Sequence, residues 1–321
     1  MRITNGNVMS TYLRDLQNNL QSMDKLNTQL NTSKQVNKIS DDPFKTVKIM
    51  NVQGEINNVE KYNYNCDEIT GWLDITDEAM DRVGNLTSEI KTLLTSIQGT
   101  FGPDEIKAVQ TEINEKIKQV GEAMNTTYAG KYVFGGSATD QPPVRVETDP
   151  TSGLAKIVVN NTDKDGNVDP NLSARLDASL KSEISDGITM DYNLTINNIT
   201  STTGKETGKK SGLDILNDVV QKLNSDPVDM DEIKKLSSDL GDYMNDVLNN
   251  RSLIGAKTNT VSAVKDSNEE NILEMKGTFS LMQDVNYADK FMELKEAQMI
   301  YNATLQVGSK LLQPTILDYL R

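Results

Sequence analysis

The run SKQVNKISDDPFKT, residues 33–46, sets two acids and a proline between stretches that repeat apolar residues at helical spacing. Asp42 suits a helix N-cap, because its carboxylate accepts bonds from orphan N–H groups in the following turn. Pro43 suits the first helical position, where its missing donor and fixed φ cost nothing. Proline also pushes the residue before it out of the α region, so the preceding helix should stop. Residues 39–42 therefore read as a hinge between two helices, with Ser40, Asp41, Asp42 and Pro43 as its working parts.

Before the hinge, Met9, Leu16, Met23 and Leu30 stand seven apart, with Leu13 and Leu20 between them. This two-position seam is too narrow for a globular core and right for a coiled coil. The far end of the chain mirrors it. Tyr287, Leu294 and Tyr301 are seven apart, as are Phe291, Gln298, Leu305 and Leu312. An isolated helix of about 25 residues is marginal in water, so each terminal seam is the natural partner of the other. The expected assembly seam is Met9, Leu13, Leu16, Leu20, Met23, Leu30, Phe291, Leu294, Tyr301, Leu305 and Leu312. Charge agrees. Residues 1–40 hold five basic and two acidic side chains, and residues 282–321 four basic and five acidic. The stretch between them therefore carries a net −16, against −14 for the whole chain.

After Pro43 a long helical pattern carries Val52, Val59, Cys66, Leu73 and Met80, then shifts phase near Gly84 into Val83, Leu86, Ile90, Leu93 and Ile97. GTFGPDE breaks it, and Pro103, Asp104 and Glu105 open a new helix with Ile106, Val109, Ile113, Ile117, Val120 and Met124. Near residue 131 the period changes. KYVFGG, VRVET, AKIVVN and MDYNLTINNIT read as short strands, separated by the turn formers TDQPP, DPTSG and TDKDGNVDP. A polar connector, TSTTGKETGKKSG, leads back to helices with Leu213, Leu216, Val220 and Leu223, then a seven-residue series Ile233, Leu240, Val247, Ile254 and Val261.

The expected fold is mainly α: a terminal coiled coil plus an elongated helical bundle, with a small β-rich insert domain. The expected divisions are 1–40 with 283–321 for the coiled coil, 41–130 with 211–282 for the bundle, and 131–210 for an outer insert. Aromatics at 5% are too few for a large globule, which also favours thin helical bundles.

Composition excludes much chemistry. The net charge of −14 argues against nucleic acid, whose phosphates need a basic surface. No apolar run approaches the ~20 residues of a membrane span, so no membrane insertion is expected. MRITNGNVMSTYLRDL lacks an apolar h-region, so no cleavable signal peptide is expected. With no His and one Cys, His-based acid–base chemistry, disulfides and the usual zinc sites are absent. Cys66 lies within a helical seam beside Asp67 and Glu68, and reads as a small packing hydrophobe. DKDGNVD spaces oxygens like a calcium loop but has Val168 and Ala174 where Gly and Glu are needed. GKETGKKS lacks the spacing and the preceding strand of a phosphate loop. Trp72 beside Gly71 reads either as a packing residue or as a contact between subunits. No catalytic, cofactor-binding or metal residue is expected; the chain reads as a non-enzyme.

Several segments together carry a family resemblance: MRITN, NKISDDPFKT, GKYVFGGSATDQPPV, RSLIGAKTNTV, DVNYADKFMELKEAQMIYNATLQVGSK and LLQPTILDYLR. They resemble the flagellin-related axial proteins of the bacterial flagellum, and more narrowly the hook-associated proteins of the hook–filament junction. Pro43 and Phe44 stand where flagellin usually has an Ala-Ala-Gly-Leu-type run, and Asn286 where many relatives carry an acid. Residues about 150–210 lie outside the resemblance. It implies a structural adaptor joining the hook-side hook-associated protein to flagellin, as a ring of copies of itself. It also implies export through the flagellar secretion channel with a chaperone, and an extracellular location. The hinge would then let one chain line the inner tube and fold back outside it. A short flagellin that forms the filament itself is the alternative.

Overall fold

The Asp-Pro grammar and the heptads shape the helices of the computed structural model, which describes residues 5–97, 101–150, 152–162, 168–200, 210–225 and 228–311. Eight helices and six short strands occur among the described residues. α1 spans Asn5–Thr32, α2 Pro43–Ser96 and α3 Pro103–Met124. α2 starts at Pro43, as the hinge reading requires. α3 starts at Pro103, and the Glu105 carboxylate accepts the Gly102 N–H at 3.0 Å. β1 (Thr127–Tyr128) and β2 (Lys131–Tyr132) form a tight hairpin, followed by the antiparallel pair β3 (Val144–Thr148) and β4 (Ala155–Val159). α4 (Pro170–Leu176), the hairpin β5 (Lys181–Ser185) and β6 (Ile188–Asp191), and α5 (Ile196–Thr200) complete this stretch. α6 (Gly212–Leu223), α7 (Met230–Gln283) and α8 (Tyr287–Leu311) follow.

Two expectations are corrected here. TDKDGNVDP is not only a turn: Asp169 accepts the Asn171 N–H at 2.8 Å and caps α4, with Pro170 at its start. MDYNLTINNIT is not one strand, because β6 ends at Asp191 and Ile196–Thr200 is helical. The Thr195 carbonyl accepts from Asn198 and Ile199 and so starts that turn of helix.

The chain divides into two compact units, Met1–Asn58 with Glu270–Arg321, and Val59–Glu269. The second holds the core. Cys66, Leu73 and Met80 of α2, Ile113 and Ile117 of α3, Leu216 and Val220 of α6, and the α7 series pack in one cluster. The β segments join that cluster through Phe134, Val144, Ile157 and Ile184. Polar side chains on helices bind strand backbone. Asn217 of α6 accepts the Ile157 N–H at 2.8 Å and donates to its carbonyl at 2.9 Å, as a neighbouring strand would. Asn114 of α3 accepts the Ala155 N–H at 2.6 Å. Cys66 lies against the Ile184 carbonyl, and burial, then Asp67, pushes its thiol pKa up. It is a packing residue. Trp72 is also interior, between Tyr128 and Tyr192.

Candidate functional site

The end of α1 and the turn between α7 and α8 are built on each other. The Gln35 N–H donates to the Gln283 carbonyl at 2.7 Å, and the Val285 N–H donates to the Ser33 carbonyl at 3.1 Å. Lys34 and Asp284 sit opposite each other in this short antiparallel bridge. The Gln35 amide donates to the Asp284 carbonyl at 2.6 Å, and the buried Gln29 amide donates to the Gln35 carbonyl at 2.6 Å. Ser33 ends α1 at φ +60°, the left-handed stop that usually needs Gly or Asn. Its hydroxyl is hydrogen-bonded to that of Tyr287.

The two acids of the hinge do separate jobs. Asp42 caps α2: its carboxylate accepts the Lys45 N–H at 2.9 Å, and its carbonyl accepts the Thr46 N–H at 2.9 Å. Asp41 closes the turn before it, accepting from Lys38 N–H at 3.0 Å and Asn37 N–H at 3.4 Å. Lys25 of α1 stands 3.4 Å from Asp41. The Lys38 N–H above all, with Lys25, holds the Asp41 carboxyl below the usual carboxylate range. Ser40 is exposed, and Pro43 is the first residue of α2. Asn286 caps α8 by accepting the Ala288 N–H at 3.1 Å.

α1 and α8 lie side by side and antiparallel. Ser33 meets Tyr287 at one end, and at the other Gly308 admits the Tyr12 ring, with which any Cβ would collide. Leu294 is buried, and Met9, Leu16, Met23, Leu30 and Tyr301 are half-buried. Leu13, Leu20, Phe291 and Leu305 face solvent, at 47%, 44%, 53% and 43% exposure. Leu312 lies outside the described residues. Sequence reasoning missed the exposed Met292, Met299 and Ile300 of the same helix, although Met292 and Met299 are themselves seven apart. It also missed Gln29, Gln35 and Val285, whose roles depend on a turn 250 residues away and leave no local signal. Among the described residues no group of three or more Cys, Asp or Glu is placed to hold a metal ion, and no helix is long and apolar enough to cross a membrane.

α1 and the capped hinge lie within a stretch that matches a known family. Residues 3–139, which include α1, the hinge, α2 and α3, match the bacterial flagellin N-terminal helical region. The fold itself, a helical body with small antiparallel sheets, is shared with solved flagellar proteins. A Vibrio parahaemolyticus protein described as a flagellar hook-associated protein is 20% identical, with 76% of this chain and 99% of that chain covered at a TM-score of 0.60. Hook-associated protein 3 of Legionella pneumophila is 12% identical, with 73% and 98% covered at 0.58. Xanthomonas campestris FlgL is 12% identical, with 70% and 98% covered at 0.55. No curated protein sequence matches the chain.

Proposed function

We propose that this chain is a structural adaptor of the bacterial flagellum, joining the hook-side hook-associated protein to the flagellin filament in a ring of its own copies. The observation that carries the proposal is the set of uncovered apolar side chains on the paired terminal helices, Leu13, Leu20, Phe291 and Leu305. These large apolar side chains are left to water on the helix pair, where an assembly would cover them. The flagellin N-terminal helical region supports axial assembly. The fold shared along 98–99% of hook-associated proteins supports the junction rather than the filament. In this reading Met9, Leu13, Leu16, Leu20, Met23 and Leu30 meet Phe291, Leu294, Tyr301, Leu305 and Leu312 and the neighbouring copies. Ser40, Asp41, Asp42 and Pro43 turn the chain between inner and outer layers. The role is structural rather than catalytic, at an extracellular hook–filament junction reached through flagellar export. An export chaperone shields these apolar side chains on the way. A short flagellin is the second reading, favoured by the same N-terminal match.

Leu305→Asp tests this. Burying its unpaired carboxylate in an assembly costs several kcal/mol. The strain is expected to bear hooks without filaments and to release flagellin into the medium. Normal filaments and motility would remove this seam from docking. If instead the mutant chain is the main monomer lost and no second filament protein exists, the chain is a flagellin. Immunogold on isolated flagella separates the two directly, as one band at the joint or label along the filament.

A further inference from the structure

Within Val59–Glu269, a cavity of about 220 Å³ opens beside α2, the β1–β2 hairpin and the β5–β6 hairpin. One wall is aromatic. Trp72 stands edge-to-face with Tyr128 and Tyr192, at centroid distances of 6.1 and 5.7 Å and interplanar angles of 77° and 88°. Specific residues hold this geometry. Gly71 sits mid-helix, where glycine is costly, and any Cβ there would collide with the Tyr128 phenol. The β1–β2 turn has φ +48° at Ala129 and +78° at Gly130, the type I′ pattern that normally avoids alanine. Ala129 lines the cavity. Trp72 is 5% exposed, and its indole N–H has no hydrogen-bond partner among the described residues. Buried donors are rarely left so.

The other wall is polar and carries both signs. Glu68 and Lys131 line it and form no ion pair among the described residues, together with Asn65 and the hydroxyls of Thr139 and Ser182. We infer that this cavity binds one pyranose ring of a carbohydrate. A sugar offers C–H faces to aromatic rings, and hydroxyls that both donate to Glu68 and accept from Lys131. The volume is below the roughly 300 Å³ at which drug-sized pockets begin, so it suits a ligand of about a dozen heavy atoms. An organic ammonium would also suit three aromatic rings. However, Lys131 repels a cation. The inference is independent of the junction reading.

Trp72 is the only tryptophan, so its emission reports on the site. The full chain is titrated with methyl pyranosides of glucose, galactose, mannose and N-acetylglucosamine, with glycerol and tetramethylammonium chloride as controls. At least one pyranoside is expected to give a saturable emission change that neither control reproduces. Glu68→Gln and Lys131→Met, both at exposed positions, should each raise the half-saturating concentration at least about tenfold, the size of a lost charge-assisted hydrogen bond. Circular dichroism should not change. Repeating the titration with the free reducing sugar and with a disaccharide carrying the same terminal ring tells a free metabolite from a glycan end; tighter binding of either supports the site. No saturable response to any pyranoside, a response to tetramethylammonium alone, or parental affinity in both variants overturns it.

Discussion

The seven-residue series on α7 and those on α1 and α8 are written alike and meet opposite fates. Ile233, Leu240, Val247, Ile254 and Val261 of α7 are each no more than 3% exposed. On α1 and α8, Leu13, Leu20, Phe291 and Leu305 remain exposed. The difference lies in the neighbours. The α7 series packs in one cluster with α2, α3, α6 and the β segments, whereas α1 packs chiefly on α8. A heptad thus encodes the need for a partner, and only the rest of the chain decides whether that partner is supplied internally.

The comparison breaks first at Leu240. Leu240→Ala removes a fully buried side chain and should cost about 2–5 kcal/mol, read from guanidinium unfolding by circular dichroism. A loss below about 1 kcal/mol would mean that the α7 series is not core after all. Native-state amide exchange extends the contrast. The amides of α1 and α8 should exchange before those of residues 233–261, since fewer buried apolar contacts hold them.

A second test uses Tyr243, fully buried, with no hydrogen-bond partner for its hydroxyl among the described residues. Burial, then Asp246, pushes its pKa well above the ordinary phenol value. The folded chain therefore holds the proton after the unfolded chain has released it. This contribution is complete below about pH 10 and declines above it, by up to about 1.4 kcal/mol per pH unit. Tyr243→Phe should match the parent near neutrality and lose less stability as pH rises beyond 10. Parallel alkaline curves for the two proteins would show that the phenol titrates normally.

Much of this fold is legible where a signal is local. Asp42–Pro43 gives the start of α2 because cap and first turn are adjacent in sequence. The same dipeptide at Asp169–Pro170 opens α4, yet its turn-rich setting hides a helix of seven residues. The strands VRVET and AKIVVN emerge from their alternation and coincide with β3 and β4. Their anchoring by Asn114 and Asn217 does not emerge, because an asparagine on a helix looks the same whether it meets water or a strand 40 to 60 residues away. The candidate site divides likewise. The heptads and the hinge are periodic and adjacent, so the sequence shows them. The bridge from Ser33 and Gln35 to Gln283 and Val285 joins opposite ends of the chain, so it does not.

The hinge gives a smaller effect. Asp42→Ala removes the carboxylate that accepts the Lys45 N–H and should cost about 1 kcal/mol in local stability of the first turn of α2. Faster amide exchange at Lys45 is the measurement, and Asp42→Asn should restore most of the protection. Unchanged exchange in the alanine variant would leave Pro43 alone responsible for the start of α2.

The smallest effect in the free chain falls on the terminal seam, and there it is the most informative. Leu305 is already 43% exposed in the single chain. Leu305→Gln keeps helix propensity and adds no charge, so the free protein should change by about 0.5 kcal/mol or less, as surface substitutions do. In an assembly the same position would be covered, and an amide without a partner there would lose both the apolar burial and its hydration. A stability change near zero, measured alongside loss of incorporation at the flagellar joint, would assign the residue to contacts between copies. A loss of 2 kcal/mol or more in the free chain would instead place Leu305 in an internal core like that of Leu240, and the contrast between the two heptads would collapse.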